Sequence, residues 1–301
     1  MKLLITGARG QVGWELTRSM QPLGEVIALD RTGADLADPQ ALRALVRKLR
    51  PDVILNAAAY TAVDRAEDEE ALALRINGES PGVLAQEAAA LDALMVHYST
   101  DYVFDGTLDR PYREADLTAP INAYGRTKLA GEQAVAAAGG RWLVFRPSWV
   151  YADRGANFPR TMLRLAGERE ALKVVADQVG APTSARLIAD MTAHAVACCT
   201  REAAEGRIES GVYHLVAGGS TSWHGLASAV IEGARQRGWP LRVQTVQGIP
   251  ASEYPTRARR PANSRLATDA LSQRFGLTPP AWEQGIACLL DTWTEALPAR
   301  S

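Results

Sequence analysis

The sequence predicts an α/β fold, a doubly wound parallel sheet with a smaller, discontinuous C-terminal lobe. Three observations carry this reading. Short apolar, β-branched runs alternate with helical patterns through the first half of the 301 residues. A glycine-rich turn follows the first run and opens the first helical pattern. The alternation breaks near residue 150 and resumes near residue 184.

Lys2–Thr6 reads as a strand, residues 11–20 as a helix and residues 26–30 as a strand that ends on Asp30. Within 41–49, Leu42, Leu45, Val46 and Leu49 fall at i, i+3, i+4 and i+7, one face of a helix. Strands follow at 52–58, 93–98 and 142–146, with helices at 81–91 and 124–138. Between 151 and 181 there is only a short helix and one strand, at 172–176. Residues 186–199 return to helix, and 211–216 form a strand expected to re-enter the first sheet. Beyond Ser222 come a helix, a short strand at 241–246 and an irregular Pro/Arg stretch. The last helix, 282–297, aligns Ile286, Leu289, Leu290 and Trp293. The predicted organisation is residues 1–150 plus about 184–220 as one domain, and about 151–183 plus 221–301 as a second lobe. A cleft is expected between them.

Composition narrows the function. The chain is 47% hydrophobic and 22% charged, ordinary for a globular enzyme. Lys+Arg of 33 against Asp+Glu of 34 leaves a net charge of −1, without the basic excess that nucleic acid or an anionic membrane needs. No apolar run approaches the roughly 20 residues of a membrane span, and the start runs straight into a strand with no signal-peptide pattern. Cys198, Cys199 and Cys288 are too few and badly spaced for a disulfide framework or zinc site, so a reducing cytoplasm is expected. The four histidines, His97, His194, His214 and His224, show no ligand spacing and read as structural. The tryptophans of the C-terminal half read as core, apart from Trp149.

The turn Gly7-Ala8-Arg9-Gly10-Gln11-Val12-Gly13 has GxxGxxG spacing in a strand–turn–helix context. Glycine permits positive φ and lets backbone N–H groups approach a pyrophosphate at the positive end of a helix. This points to a dinucleotide. Asp30 suits a ribose 2′-hydroxyl and NAD, whereas Arg31 beside it suits the 2′-phosphate of NADP, so both stay open. Asp35 and Leu36 either flank an adenine or form the cap region of the helix after Pro39.

Tyr124 and Lys128 lie four apart, one helical turn. A free tyrosine, with a pKa of about 10, is a reluctant acid–base at neutral pH, and a nearby ammonium favours its phenolate. Ser99-Thr100-Asp101-Tyr102 follows a strand at its carboxyl end, where such folds place their sites. A hydroxyl there can bond a carbonyl oxygen and share the tyrosine's proton work. The order glycine turn, strand-end hydroxyl, Tyr-x-x-x-Lys is the signal, more than any one part.

With these features the chain resembles the extended short-chain dehydrogenase/reductases, which have a Rossmann sheet. Within them it is similar to the dTDP-4-dehydrorhamnose reductase family. The blocks that carry this are Asn56-Ala57-Ala58-Ala59-Tyr60-Thr61-Ala62-Val63-Asp64, Ser99-Thr100-Asp101-Tyr102-Val103-Phe104-Asp105-Gly106 and Arg146-Pro147-Ser148-Trp149-Val150-Tyr151. Asn157-Phe158 with Thr161-Met162-Leu163, Asp177-Gln178-Val179-Gly180-Ala181-Pro182-Thr183 and Arg260-Pro261-Ala262-Asn263-Ser264-Arg265-Leu266 continue it to near the C-terminus.

The resemblance implies reduction of the C4 ketone of dTDP-4-dehydro-6-deoxy-L-mannose to dTDP-L-rhamnose by NADPH or NADH. It implies Tyr124 as proton donor, Lys128 as the residue that lowers the tyrosine pKa and holds the nicotinamide ribose, and Thr100 on the developing alkoxide. Asp101, Tyr102 and Trp149 would lie near the sugar, with Asn157, Gln178 and Arg260 along the nucleotide-sugar cleft. Gly7, Gly10, Gln11, Val12, Asp30, Arg31, Asp35, Leu36, Ala59, Tyr60 and Thr61 would meet the cofactor. The first domain would then bind NAD(P) and the second lobe the nucleotide sugar. Some family members are dimers with interfacial magnesium, and monomer and homodimer both stay open here. Glu15 is present, but Ala185-Arg186-Leu187 offers a guanidinium where a partner acid is wanted, so no metal is expected.

Related chemistries fit less well. A 4,6-dehydratase resembling these enzymes carries Thr-Asp-Glu, and this chain has Thr100-Asp101-Tyr102. An epimerase-reductase of the GDP-fucose synthase type needs a Cys/His pair at the substrate. Another nucleotide-sugar ketoreductase is the nearer alternative, and a cofactor-binding regulatory subunit the non-enzymatic one.

Overall fold

The computed structural model describes residues 1–205 and 209–295. The chain runs β1 (Lys2–Thr6), α1 (Gln11–Ser19), β2 (Glu25–Leu29), α2 (Pro39–Leu49) and β3 (Val53–Asn56). Then come α3 (Val63–Ala66), α4 (Glu70–Leu74), α5 (Ser80–Ala90), β4 (Leu94–Tyr98), α6 (Ala123–Ala137), β5 (Arg141–Arg146) and β6 (Val150–Tyr151). The remainder is α7 (Phe158–Glu168), β7 (Ala171–Val175), β8 (Val179–Gly180), β9 (Thr183–Ser184), α8 (Ala185–Ala204), β10 (Gly211–His214), β11 (Thr221–Ser222), α9 (Trp223–Gln236), β12 (Thr245–Ile249), β13 (Asn263–Ser264), α10 (Asp269–Phe275) and α11 (Trp282–Glu295).

Six strands form one sheet in the order β10-β5-β4-β3-β1-β2, with every neighbouring pair parallel. Strand β10 pairs with β5, so the chain does return to this sheet. Alternate residues of the inner strands are buried on opposite faces, as the uninterrupted apolar runs require, while the edge strand β2 is only partly buried. Leu3, Ile5 and Leu55 pack with Ile188 and Val196 of α8, while Leu4 and Ile54 pack with Leu42, Val46 and Leu84 of α2 and α5. Each such fully buried side chain is worth about 1.5–3 kcal/mol against exposure. The strand order turns around between β1 and β3, and a crevice opens at that point beyond the strand ends.

Helix α2 starts two residues before the periodicity alone indicates. Asp38 caps it by accepting from the Ala41 N–H at 3.0 Å, and Pro39 fits the first turn, which needs no donor there. The stretch from 63 to 79, which shows no clear period, is helical in pieces. It ends in a π-helical turn, Arg75–Glu79, that runs into α5. Pro81 has no N–H for the Asn77 carbonyl, and the widened turn absorbs that loss.

Away from the six-stranded sheet, α9 packs between α7 and α11, with Leu226 and Val230 against Ile286, Leu289, Leu290 and Trp293. The apolar alignment of the last helix is thus buried as a face; residues 296 and 297 lie outside the described residues. The strand expected at 241–246 is shifted, since β12 pairs with β7 from Thr245 to Ile249. Val243 is buried, yet its N–H bonds the carbonyl of Ala166 at the end of α7 and not a strand. Burial and ladder pairing are separate matters, and sequence hydropathy reports only the first. No helix among the described residues is long and apolar enough to cross a membrane.

Candidate active site

The crevice at the strand-order reversal is a cleft of about 890 Å³. One wall is the glycine turn between β1 and α1. Gly7 has φ +73°, and a Cβ there would stand 2.7 Å from the Ala58 nitrogen, so only glycine lets the turn lie against the end of β3. The free N–H end of α1 at Gln11 and Val12 faces the same space, a cradle for an anion. Asp30 and Arg31 stand at the end of β2. Thr32 gives Asp30 Oδ1 two hydrogen bonds, and Arg9 pairs with Oδ2 at 2.8 Å, which together hold the carboxyl below its usual range. Arg31 faces Asp35 at 3.5 Å. Leu36 is buried, and its carbonyl takes the Ser80 hydroxyl. The Asp38 cap and the place of Asp35 and Leu36 in the cleft wall coexist, so those two readings of the segment are not exclusive.

Ala59, Tyr60 and Thr61 follow β3 along the cleft. The Asn77 side chain clamps the Tyr60 backbone, accepting from its N–H at 2.8 Å and donating to its carbonyl at 3.0 Å. Asn77 belongs to the π turn, whose backbone meets α6 at Gly131; a side chain there would collide with the Asn77 carbonyl. This contact sets α6 close to the sheet.

Helix α6 brings Tyr124 and Lys128 to the cleft. Asn122 caps it by accepting from the Gly125 N–H at 2.8 Å. Opposite stand Thr100, Asp101 and Tyr102, just past β4, and the Tyr102 ring meets the Tyr124 ring edge-on at 5.7 Å. Burial raises the Tyr124 phenol, the Asp101 charge raises it further, and the Thr100 hydroxyl opposes this. Lys128 is fully buried, which pushes its ammonium down to about 8. Its Nζ donates to the Tyr98 carbonyl at 2.5 Å. Asp101, also buried, accepts from the Thr100 hydroxyl at 3.0 Å and is pushed up to about 6 by loss of water.

Trp149 has φ +48°, a left-handed backbone that a bulky residue adopts only when its surroundings hold it. Its ring fills the space over Gly180, where a Cβ would stand 2.6 Å away, and stacks on Trp223. Trp223 therefore lines the cleft, contrary to its expected place in the core. Arg9 and Ser148 line it too and were not singled out from sequence. The proximity of Trp223 and Ser148 depends on the fold, whereas Arg9, inside the glycine turn, was open to notice. Three expected residues lie outside this lining. Asn157 caps α7, accepting from the Arg160 N–H and donating to the Ala152 carbonyl at 2.6 Å. Arg260 pairs with Asp64 at 2.9 Å, and Gln178 precedes β8.

A family model described as the RmlD substrate binding domain matches residues 1–295. The curated dTDP-4-dehydrorhamnose reductase of Burkholderia thailandensis is 56% identical over 294 residues, which are 97% of this chain and 99% of that protein. The chain belongs to the dTDP-4-dehydrorhamnose reductase family. The Escherichia coli K12 dTDP-4-dehydrorhamnose reductase is 49% identical over 97% of each chain. The crystal structure of the Bacillus anthracis dTDP-4-dehydrorhamnose reductase in complex with NADP superposes with a TM-score of 0.86 at 33% identity, covering 97% of this chain and 99% of that one. The Thermus thermophilus UDP-glucose 4-epimerase complexed with NAD shares the fold, with a TM-score of 0.79 at 20% identity over 99% and 100% of the chains. Family members are NAD(P)H-dependent reductases, and the glycine cradle of this chain fits such a dinucleotide.

Proposed function

We propose that the chain reduces the C4 ketone of dTDP-4-dehydro-6-deoxy-L-mannose to dTDP-L-rhamnose. The observation that carries this is the meeting of Thr100, Tyr124 and Lys128 in one cleft with the glycine turn. Bound NADPH or NADH supplies the hydride to C4. The Tyr124 hydroxyl gives its proton to the C4 oxygen, and the Thr100 hydroxyl turns its one hydrogen from Asp101 to that oxygen as charge develops on it. Lys128 binds the nicotinamide ribose and, when charged, favours the phenolate left on Tyr124.

Gly7, Gly10, Gln11 and Val12 would hold the pyrophosphate, with Asp30 and Arg31 at the adenosine ribose and Asp35 and Leu36 beside the adenine. Asp101, Tyr102 and Trp149 would contact the sugar. Asn157, Gln178 and Arg260 would meet the nucleotide only if the mouth of the cleft rearranges, since Arg260 is held by Asp64. The division into a cofactor domain (1–150 plus about 184–220) and a sugar-nucleotide lobe (about 151–183 plus 221–301) is supported by separate apolar clusters on the sheet and around α9. A cytoplasmic setting suits Cys198, Cys199 and Cys288, all free thiols.

The test is oxidation of NADPH and of NADH with the keto sugar generated in situ, with product identified by mass and retention. Sugar-dependent oxidation that yields dTDP-L-rhamnose is expected. A cofactor-binding protein that leaves this sugar untouched would refute the assignment.

A further inference from the structure

Lys128 is one of four lysines in the chain, with Lys2, Lys48 and Lys173, and it alone is fully buried. Its Nζ has two neighbours in hydrogen-bond range, the Tyr98 carbonyl at 2.5 Å and His97 Nε2 at 3.5 Å. His97 is completely buried in β4. Its other nitrogen, Nδ1, faces the Asn56 amide nitrogen at 3.1 Å, and Asn56 Oδ1 faces the Thr6 hydroxyl at 2.6 Å. Thr6, Asn56 and His97 stand on β1, β3 and β4, and all three are buried. A string of four side chains thus runs beneath the cleft from β1 to α6.

The distances give this string a direction. A separation of 2.6 Å suits O–H···O and is short for N–H···O, so the end of the Asn56 amide that faces Thr6 is its oxygen. Thr6 has one hydroxyl hydrogen, and it goes to that oxygen. The amide nitrogen then donates to His97 Nδ1, and a neutral imidazole must carry its hydrogen on Nε2. Burial keeps His97 neutral. The Nε2–H therefore points at Lys128, which can accept it only as the uncharged amine.

We propose that the Thr6–Asn56–His97 string is a positioning device that fixes His97 as an N–H donor and so disfavours the ammonium form of Lys128. Other charges around the lysine do not reverse this. Glu132, one turn along α6, is the acid that favours the ammonium, but both its oxygens are taken by Arg146 of β5 at 2.8 and 2.6 Å. Tyr124, one turn back, and Asp101, beyond β4, share the cleft. Burial works in the same direction as the string. The consequence is a lysine poised to gain or lose its proton close to neutral pH, where a solvated one stays charged. The effect on turnover rests on the role proposed above for Lys128; the effect on the lysine itself does not.

The experiment is an NMR pH titration of the ligand-free protein with 13Cε-labelled lysine, which gives four signals, one of them from the buried Lys128. Asn56→Asp places a carboxylate against Nδ1, draws the ring hydrogen there and turns Nε2 into an acceptor. Thr6→Val removes the donor that orients the amide and preserves its volume, so it serves if the buried carboxylate prevents folding. The Lys128 titration is expected to move up by about one pH unit or more in Asn56→Asp and by a smaller amount in Thr6→Val. The alkaline limb of ketone reduction should move with it. An unchanged or lowered Lys128 titration in the folded variants overturns the proposal. A raised titration in a protein that does not reduce the keto sugar upholds the string and refutes the functional reading instead.

Discussion

Trp149 and Trp223 stack with ring centroids 3.6 Å apart and planes 8° from parallel. Trp149 follows β5 and Trp223 opens α9, so the pair ties the end of the six-stranded sheet to α9 in the lining of the cleft. Phe158 extends the aromatic surface, 4.7 Å from Trp223. Trp223→Ala should remove the support that keeps Trp149 in its left-handed conformation. The expected result is a KM for the nucleotide sugar raised by about tenfold, the equivalent of about 1.4 kcal/mol, with NADPH affinity nearly unchanged. Steady-state kinetics and fluorescence titration of NADPH check both halves.

Tyr124→Phe removes the hydroxyl and preserves the ring packing on Tyr102. Loss of a general acid costs about 10²-fold or more in turnover, and cofactor binding should stay within a few-fold of the parent. Near-parental turnover would remove Tyr124 from its role.

Gly7→Ala meets both a positive φ and the backbone of Ala58. Dinucleotide affinity should fall below detection in a fluorescence titration, while the far-ultraviolet circular dichroism stays that of a folded α/β protein. Retained affinity would show that the turn does not cradle the pyrophosphate.

Glu132 and Arg146 form an ion pair in which each side chain is about 5% exposed or less. Glu132→Ala leaves a buried guanidinium uncompensated and should cost about 3–5 kcal/mol in denaturant unfolding. A cost under about 1 kcal/mol would mean that water reaches Arg146.

Asp101 ties stability to pH. Its carboxyl rises from 3.8 to about 6 on folding, so the folded state binds the proton more tightly than the unfolded chain. This group's contribution to stability therefore falls as pH rises from about 4 to about 6. Asp101→Asn removes that dependence. Relative to the parent, the variant should look most stable above pH 6 and lose ground as pH falls toward 4, in urea unfolding at a series of pH values. A pH-independent difference would contradict the shift.

Much of the fold was open to reading in the sequence because burial is periodic. Leu42 and Val46 of α2, the central strands β1, β3 and β4, and Ile286, Leu289, Leu290 and Trp293 of α11 are placed by local spacing, and their apolar side chains are buried. The same holds for the core of the site. Gly7 to Gly13 act through backbone shape, and Tyr124 and Lys128 share a face because a helix turns every 3.6 residues. Periodicity failed where something other than burial decides. The π turn follows from Pro81 and its contact with Gly131, and β12 is set by pairing with β7, not by hydropathy.

The sequence by itself determined the strand–helix alternation, the glycine turn and the Tyr-x-x-x-Lys pair, since each is written in neighbours within one turn or strand. Only the tertiary structure decided that Trp223 faces Trp149, that Arg260 is held by Asp64, and that Thr6, Asn56 and His97 line up behind Lys128. Those contacts join residues from separate strands and helices far apart in the chain. Their partners are fixed by the parallel register of the sheet and the close approach of α6, which spacing along the chain does not encode.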